Sequence, residues 1–128
     1  MNKRVKVALM GYGFLGKWHA QKLASNNAVE FVAIVEPVES IHQVIKDNYQ
    51  NIKVVKDIDE VQGEVEAIII ATPTSMHQEH VIWGLKNRKH VFCEKPLAHN
   101  EKSAKNLYDL STANLNLVFQ VGHSERCH

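Results

Sequence analysis

The chain is short of the features that announce several classes of protein. Its two cysteines, Cys93 and Cys127, are too few and too far apart for a disulfide framework or a thiolate metal site. No apolar run reaches the roughly 18 residues that a membrane-crossing helix needs. The amino terminus passes into a strand pattern rather than a secretory leader. Neither charge is in excess: 15 Lys and Arg against 14 Asp and Glu leave a net +1. That balance argues against nucleic acid as a partner, because phosphate neutralisation needs a clustered positive surface. The densest basic run, Lys86 to His90, falls where a helix should end, and cations there complement the helix dipole. Internal repeats, linkers and low-complexity tracts are missing as well. What remains, at 128 residues with 45% hydrophobic and 23% charged, is one ordinary globular domain spanning 1–128, expected in a reducing cytoplasm.

Only six glycines are present, and three of them fall in one short stretch. Arg4 to Ser25 reads RVKVALMGYGFLGKWHAQKLAS. Val5, Val7, Ala8, Leu9 and Met10 form a nearly continuous apolar run, the mark of a strand buried on both faces. Gly11, Gly13 and Gly16 follow as G-x-G-x-x-G, and then Leu15, Trp18, His19, Lys22 and Leu23 recur at helical intervals. Gly11 permits the tight turn, Gly13 lets backbone approach a phosphate, and Gly16 lets helix and strand pack closely. The unpaired N–H groups and positive end of the helix then face an anion, a dipole term of about 0.3–2 kcal/mol. A strand, a glycine turn and a helix start in this order predict a dinucleotide site.

Further along, Asn26 and Asn27 make a turn and Val29 to Val35 is a second buried strand. Glu36 stands 20 residues beyond Gly16, where such folds place the acid that holds the adenine ribose hydroxyls. Pro37 breaks the strand, and Ser40 is expected to cap a helix running to about Asn48 with Ile41, Val44 and Ile45 inward. Val54 and Val55 make a short third strand, and Ile58 to Gly63 a brief helical turn or loop. Ala67 to Ala71, the most apolar run, is expected as a central strand, followed by a helix from about Met76 to Asn87. Val91 to Cys93 and Leu115 to Val121 supply two more strands, with a helix from Asn100 to about Ala113 between them. Six strands alternating with helices predict an α/β fold, a doubly wound parallel sheet with right-handed crossovers; as a Rossmann-type dinucleotide-binding domain it is expected in the order 3-2-1-4-5-6. Ligands bind outside the carboxyl ends of such strands, so Glu36, Thr72 to Ser75, Glu94 to Pro96 and His123 are expected to rim one crevice.

GYGFLG, the acid in VEP, ATPTSMH and above all CEKP resemble the amino-terminal domain of the Gfo/Idh/MocA oxidoreductases. The terminal VGHSER is similar to that family's stretch leading out of the dinucleotide-binding domain. The resemblance covers essentially all of this chain but about the first third of a typical member. It implies NAD(P)-dependent hydride transfer at a hydroxyl-bearing carbon of a sugar, cyclitol or nucleotide sugar. NAD is expected over NADP, because Glu36 would repel the extra phosphate and no Arg or Lys follows closely in sequence.

In the family pattern, Gly11, Gly13, Phe14, Leu15 and Gly16 hold the cofactor, with Glu36, Thr72, Pro73, Thr74, His77 and Glu94 around it. Thr74 stands where many relatives have Asn. Lys95 is the catalytic candidate: an ammonium can donate to the substrate oxygen and stabilise the charge that develops there. A lysine with a lowered pKa could instead relay the proton. His77 is expected to hold the loop against the helix start, and Trp18 and His19 to pack. His77 and His80 lie three residues apart on one helix, but no third ligand stands at a telling distance, so no metal is expected. Cys93 reads as a small buried hydrophobe. His123, in a G-H-x-E-R form similar to the nucleotide-sugar branch, is a substrate candidate, although Cys127 and His128 depart from that branch. The family's second domain, which supplies most substrate contacts, is expected to be absent. Its absence predicts either self-association as a homo-oligomer or a poorly ordered tail. A truncated, non-catalytic NAD-binding or interaction module stays open as the alternative.

Overall fold

The computed structural model describes residues 4–93 and the backbone of 119–121. The six strands are β1 (Val5–Met10), β2 (Val29–Val35), β3 (Lys53–Val55), β4 (Ala67–Ile70), β5 (His90–Cys93) and β6 (Phe119–Val121). Every pairing is parallel, and the order is β3-β2-β1-β4-β5-β6, as the sequence predicts. The helix expected over 100–113 and the start of the last strand lie outside the described residues. No helix among the described residues is long and apolar enough to cross a membrane.

Alternation along the strands divides the core in two. Val7, Leu9 and Ile34 face α1 (Phe14–Ala24) and α2 (His42–Asn48), where they meet Ala20, Leu23 and Ile45. Ala8, Met10, Ile68, Ile70 and Val91 face the other way, toward α3 (Thr74–Lys86) and a 3-10 segment, Ile58–Glu64. Fully buried aliphatics such as Ile68 and Leu85 each contribute about 1.5–3 kcal/mol.

Three local expectations change. In α1 the buried positions are Gly16, His19, Ala20 and Leu23, while Trp18 is 43% exposed. Small residues at 16 and 20 bring the helix close to the sheet, and that rotates Trp18 outward, where the Lys22 ammonium lies 5.2 Å from its ring centre. Ser40 caps nothing: it sits inside a 3-10 turn, Glu39–Ile41, that leads into α2 without a side-chain cap. Ile41 and Ile45, four apart, share the inner face, whereas Val44, about 100° round from Ile45, is turned to solvent. The turn before β2 forms as expected, with Asn26 Oδ1 accepting from the Ala28 N–H at 2.8 Å.

The basic run after α3 does more than complement a dipole. Lys89 is buried, and its ammonium donates to the carbonyls of Gln62 (2.5 Å) and Val65 (2.8 Å). Burial lowers its pKa, with Glu66 opposing the shift. Two further bonds join the 3-10 segment to α3 and its end: Trp83 Nε1 donates to Asp59 (2.9 Å) and Gln62 Nε2 to Asn87 (2.9 Å).

Candidate functional site

At the carboxyl ends of β1, β2 and β4 lies one crevice of about 1010 Å³. The β1–α1 turn forms one wall. Gly11 has φ of +97°, and a Cβ there would stand 2.8 Å from the Ala71 carbonyl oxygen. At Gly16 a Cβ would fall 2.1 Å from the Gly11 carbonyl oxygen. No side chain fits at either position. Gly16 therefore seats α1 on the glycine turn itself, rather than on the strand, and it does not line the crevice. Gly13 is the opposite case: a Cβ would meet nothing within 4 Å, and the position opens on the crevice.

Gly13 is also the N-cap of α1, with no side-chain cap and no acid in the first turn. The helix ladder begins with Lys17 N–H donating to the Gly13 carbonyl at 2.9 Å. The first-turn N–H groups ahead of it have no acceptor within the helix, so the turn presents them as donors. An anion with several oxygens, approaching where Gly13 leaves space, fits this cradle.

Glu36 closes the β2 side. It is 8% exposed, and every polar group it owns is engaged. Its Oε1 accepts from the Tyr12 N–H (2.9 Å) and its Oε2 from the Val38 N–H (3.0 Å). Its own N–H donates to the Val55 carbonyl at 2.8 Å, and its carbonyl lies 2.6 Å from His42 Nε2. Tyr12, whose N–H Glu36 holds, turns its ring away from solvent and edge-on to Tyr49, with centroids 6.4 Å apart.

The opposite wall comes from β4 and α3. His77 is 2% exposed, and its Nε2 donates to the Thr72 carbonyl at 2.6 Å. It holds the turn against the helix start, as expected from sequence, and does not itself line the crevice. The Thr72 hydroxyl pairs with His80 Nδ1 at 2.9 Å, so the two histidines serve one threonine from different sides. Burial lowers the His80 pKa; Glu79 opposes the shift, His77 adds to it and Asp57 opposes it.

Of the sequence-derived candidates, Gly11, Gly13, Phe14, Leu15, Glu36, Thr72 and Pro73 all line the crevice. Thr74 opens α3, and its side chain lies outside the described residues, as do Glu94, Lys95 and His123. Val38, Asp57, Met76, His80 and Trp83 line the crevice too, and sequence reasoning passed over them as cofactor contacts. A signal existed for three: Met76, His80 and Trp83 are spaced four and three apart, one stripe of α3. Lys56 also reaches the crevice, although its ammonium lies 3.5 Å from a Glu39 carboxylate oxygen. A cation is therefore near the site after all, brought by β3 rather than by the residues after Glu36.

The sheet order, the glycine cradle and the acid at the end of β2 define a dinucleotide-binding domain of Rossmann type. The chain belongs to the Gfo/Idh/MocA oxidoreductase family, matching over residues 5–123 its NAD-binding Rossmann fold. An uncharacterized oxidoreductase of Streptococcus pneumoniae is 32% identical over 123 residues, 93% of this chain and 32% of the relative. An inositol 2-dehydrogenase of Acidothermus cellulolyticus is 26% identical over 128 residues, 98% of this chain and 38% of the relative. The crystal structure of a scyllo-inositol dehydrogenase from Lactobacillus casei with bound NAD(H) and scyllo-inositol matches with a TM-score of 0.89. It is 26% identical, over 98% of this chain and 38% of that one. The chain thus spans 32–38% of the length of these relatives.

Proposed function

We propose that this chain is the cofactor-binding part of an oxidoreductase that moves hydride between NAD and a hydroxyl-bearing carbon of a cyclitol or sugar. The observation that carries the reading is the cradle: an uncapped helix start, an open Gly13 and a buried carboxylate on one crevice. NAD, when bound, supplies the hydride acceptor. The chain's residues hold it: the first turn of α1 faces the pyrophosphate, and Glu36 offers its remaining lone pairs to the adenine ribose. Thr72 and Pro73 flank the nicotinamide side. Lys95, two residues beyond the end of β5, is proposed to donate to the substrate oxygen, on the strength of the E-K-P resemblance. The nucleotide-sugar expectation rests on His123 and its neighbours alone. The inositol and sugar dehydrogenases among the relatives favour a cyclitol or simple sugar instead.

NAD should bind at least about tenfold more tightly than NADP, a difference of about 1.4 kcal/mol. Glu36 opposes the extra phosphate, and Lys56 offsets it weakly because Glu39 already engages it. Calorimetric titration of both cofactors tests this, and equal dissociation constants would refute it. The chain by itself should not turn over inositols or hexoses, because a substrate carbon must be held within about 3–3.5 Å of the reacting carbon, and the residues for that are expected from a second domain.

A further inference from the structure

A carboxylate at the end of β2 in a fold of this kind is expected to serve the cofactor's ribose. Here its geometry assigns it another task. Both oxygens of Glu36 accept main-chain N–H groups, one from Tyr12 inside the glycine turn and one from Val38. The side chain is buried, and its backbone is fixed on both sides, to Val55 of β3 and to His42 of α2. One residue therefore joins the glycine turn to β2, β3 and α2.

We infer that Glu36 is a positioning residue of the phosphate-binding turn, in addition to an acceptor for the ribose. This rests on the reading of the crevice as a dinucleotide site. The turn needs such a tie. Gly11 and Gly13 give the backbone many alternatives in the unliganded chain, and the α1 N–H groups bind an anion well only when they already converge on it. A carboxylate accepts about four hydrogen bonds, so holding Tyr12 and Val38 leaves capacity for ribose hydroxyls. The two tasks are compatible on one side chain.

The two roles of Glu36 predict opposite signs for the effect of one substitution. A carboxylate beside an anion site repels the anion. If charge and ribose contact were all that Glu36 contributes, Glu36→Ala would leave inorganic pyrophosphate bound as tightly as before, or more tightly. If Glu36 positions the turn, the same substitution weakens pyrophosphate, which has no ribose to lose. The test titrates the whole chain and its Glu36→Ala and Glu36→Gln variants with inorganic pyrophosphate and with NAD, following amide shifts of Gly13 to Gly16.

Pyrophosphate should weaken about tenfold in Glu36→Ala, the scale of one hydrogen bond to a charged group. It should weaken less in Glu36→Gln, which keeps one acceptor oxygen. Hydrogen exchange of the unliganded variants should speed at Tyr12 and Val38 while Ile69, in the central strand β4, keeps the parent rate. Unchanged or tighter pyrophosphate binding, or unchanged exchange at Tyr12, would overturn the inference. A parent chain that binds neither NAD nor pyrophosphate would defeat the proposed function instead, and exchange at Tyr12 would still decide the positioning role. Where the alanine variant does not fold, the glutamine variant carries both measurements.

Discussion

The two walls of the crevice are built by opposite means. On the β1–α1 side the structure depends on side chains that are missing, and the backbone packs so closely that a single methyl cannot enter at Gly11 or Gly16. On the β4–α3 side it depends on side chains that are present, with His77 and His80 holding the two oxygens of Thr72. The first wall is a problem of shape and the second a problem of hydrogen bonds and protons. Substitutions at the two should therefore fail in different ways.

The largest effect is expected at Gly16→Ala. Its Cβ would press on a backbone carbonyl, which cannot step aside as a flexible side chain could, so the cost should reach about 3 kcal/mol. NAD binding should disappear with it, both read from denaturant unfolding and calorimetry. His77→Ala comes next. It leaves the Thr72 carbonyl without its donor, a loss of about 1–3 kcal/mol, and His77→Gln should recover part of it if the hydrogen bond rather than packing is what matters. Gly13→Ala sharpens the contrast within the first wall. Its Cβ meets no protein atom within 4 Å, so stability should stay within about 0.5 kcal/mol while NAD affinity falls about tenfold. A Gly13→Ala variant that unfolds as readily as Gly16→Ala would erase the distinction.

The smallest expected effect is a slope rather than a step. The His80 pKa lies below its ordinary 6.5, through burial first and His77 next, against Glu79 and Asp57. Below about pH 6.5 the unfolded chain then binds more protons at this site than the folded one, so stability falls as pH drops from there through the folded value. Above it the contribution is flat. Urea unfolding at about pH 7.5 and 5.5 should show the loss, and His80→Gln should reduce it. An identical pH dependence in the variant would remove His80 from the account.

Much of this was legible in the sequence, because it depends on local pattern. The strands at Val5–Met10 and Val29–Val35 and the parallel, doubly wound class of the sheet follow from periodicity and handedness, and its order from the dinucleotide-binding type that the glycine motif marks. The glycine spacing locates the cradle. What could not be read is whatever depends on distance across the fold. Trp18 falls on a helical interval, yet small neighbours at 16 and 20 decide which face turns inward. Lys56 comes to the crevice from β3, and no spacing rule reports that. Glu36 was found by its place at the end of β2, but its tie to Tyr12 spans 24 residues. Lys89 belongs to a run read only as complementing a helix dipole, and it is the fold that brings the carbonyls of Gln62 and Val65 to it.

The Lys89 clasp has a mechanical consequence. Together with the Trp83–Asp59 and Gln62–Asn87 bonds it ties the 3-10 segment, at Asp59 and Gln62, to α3 and to the turn that follows it. Segment and helix are thereby cross-braced into one frame. Trp83 lines the crevice and is tied to the same segment that Lys89 clasps, so the clasp helps to hold that wall in place.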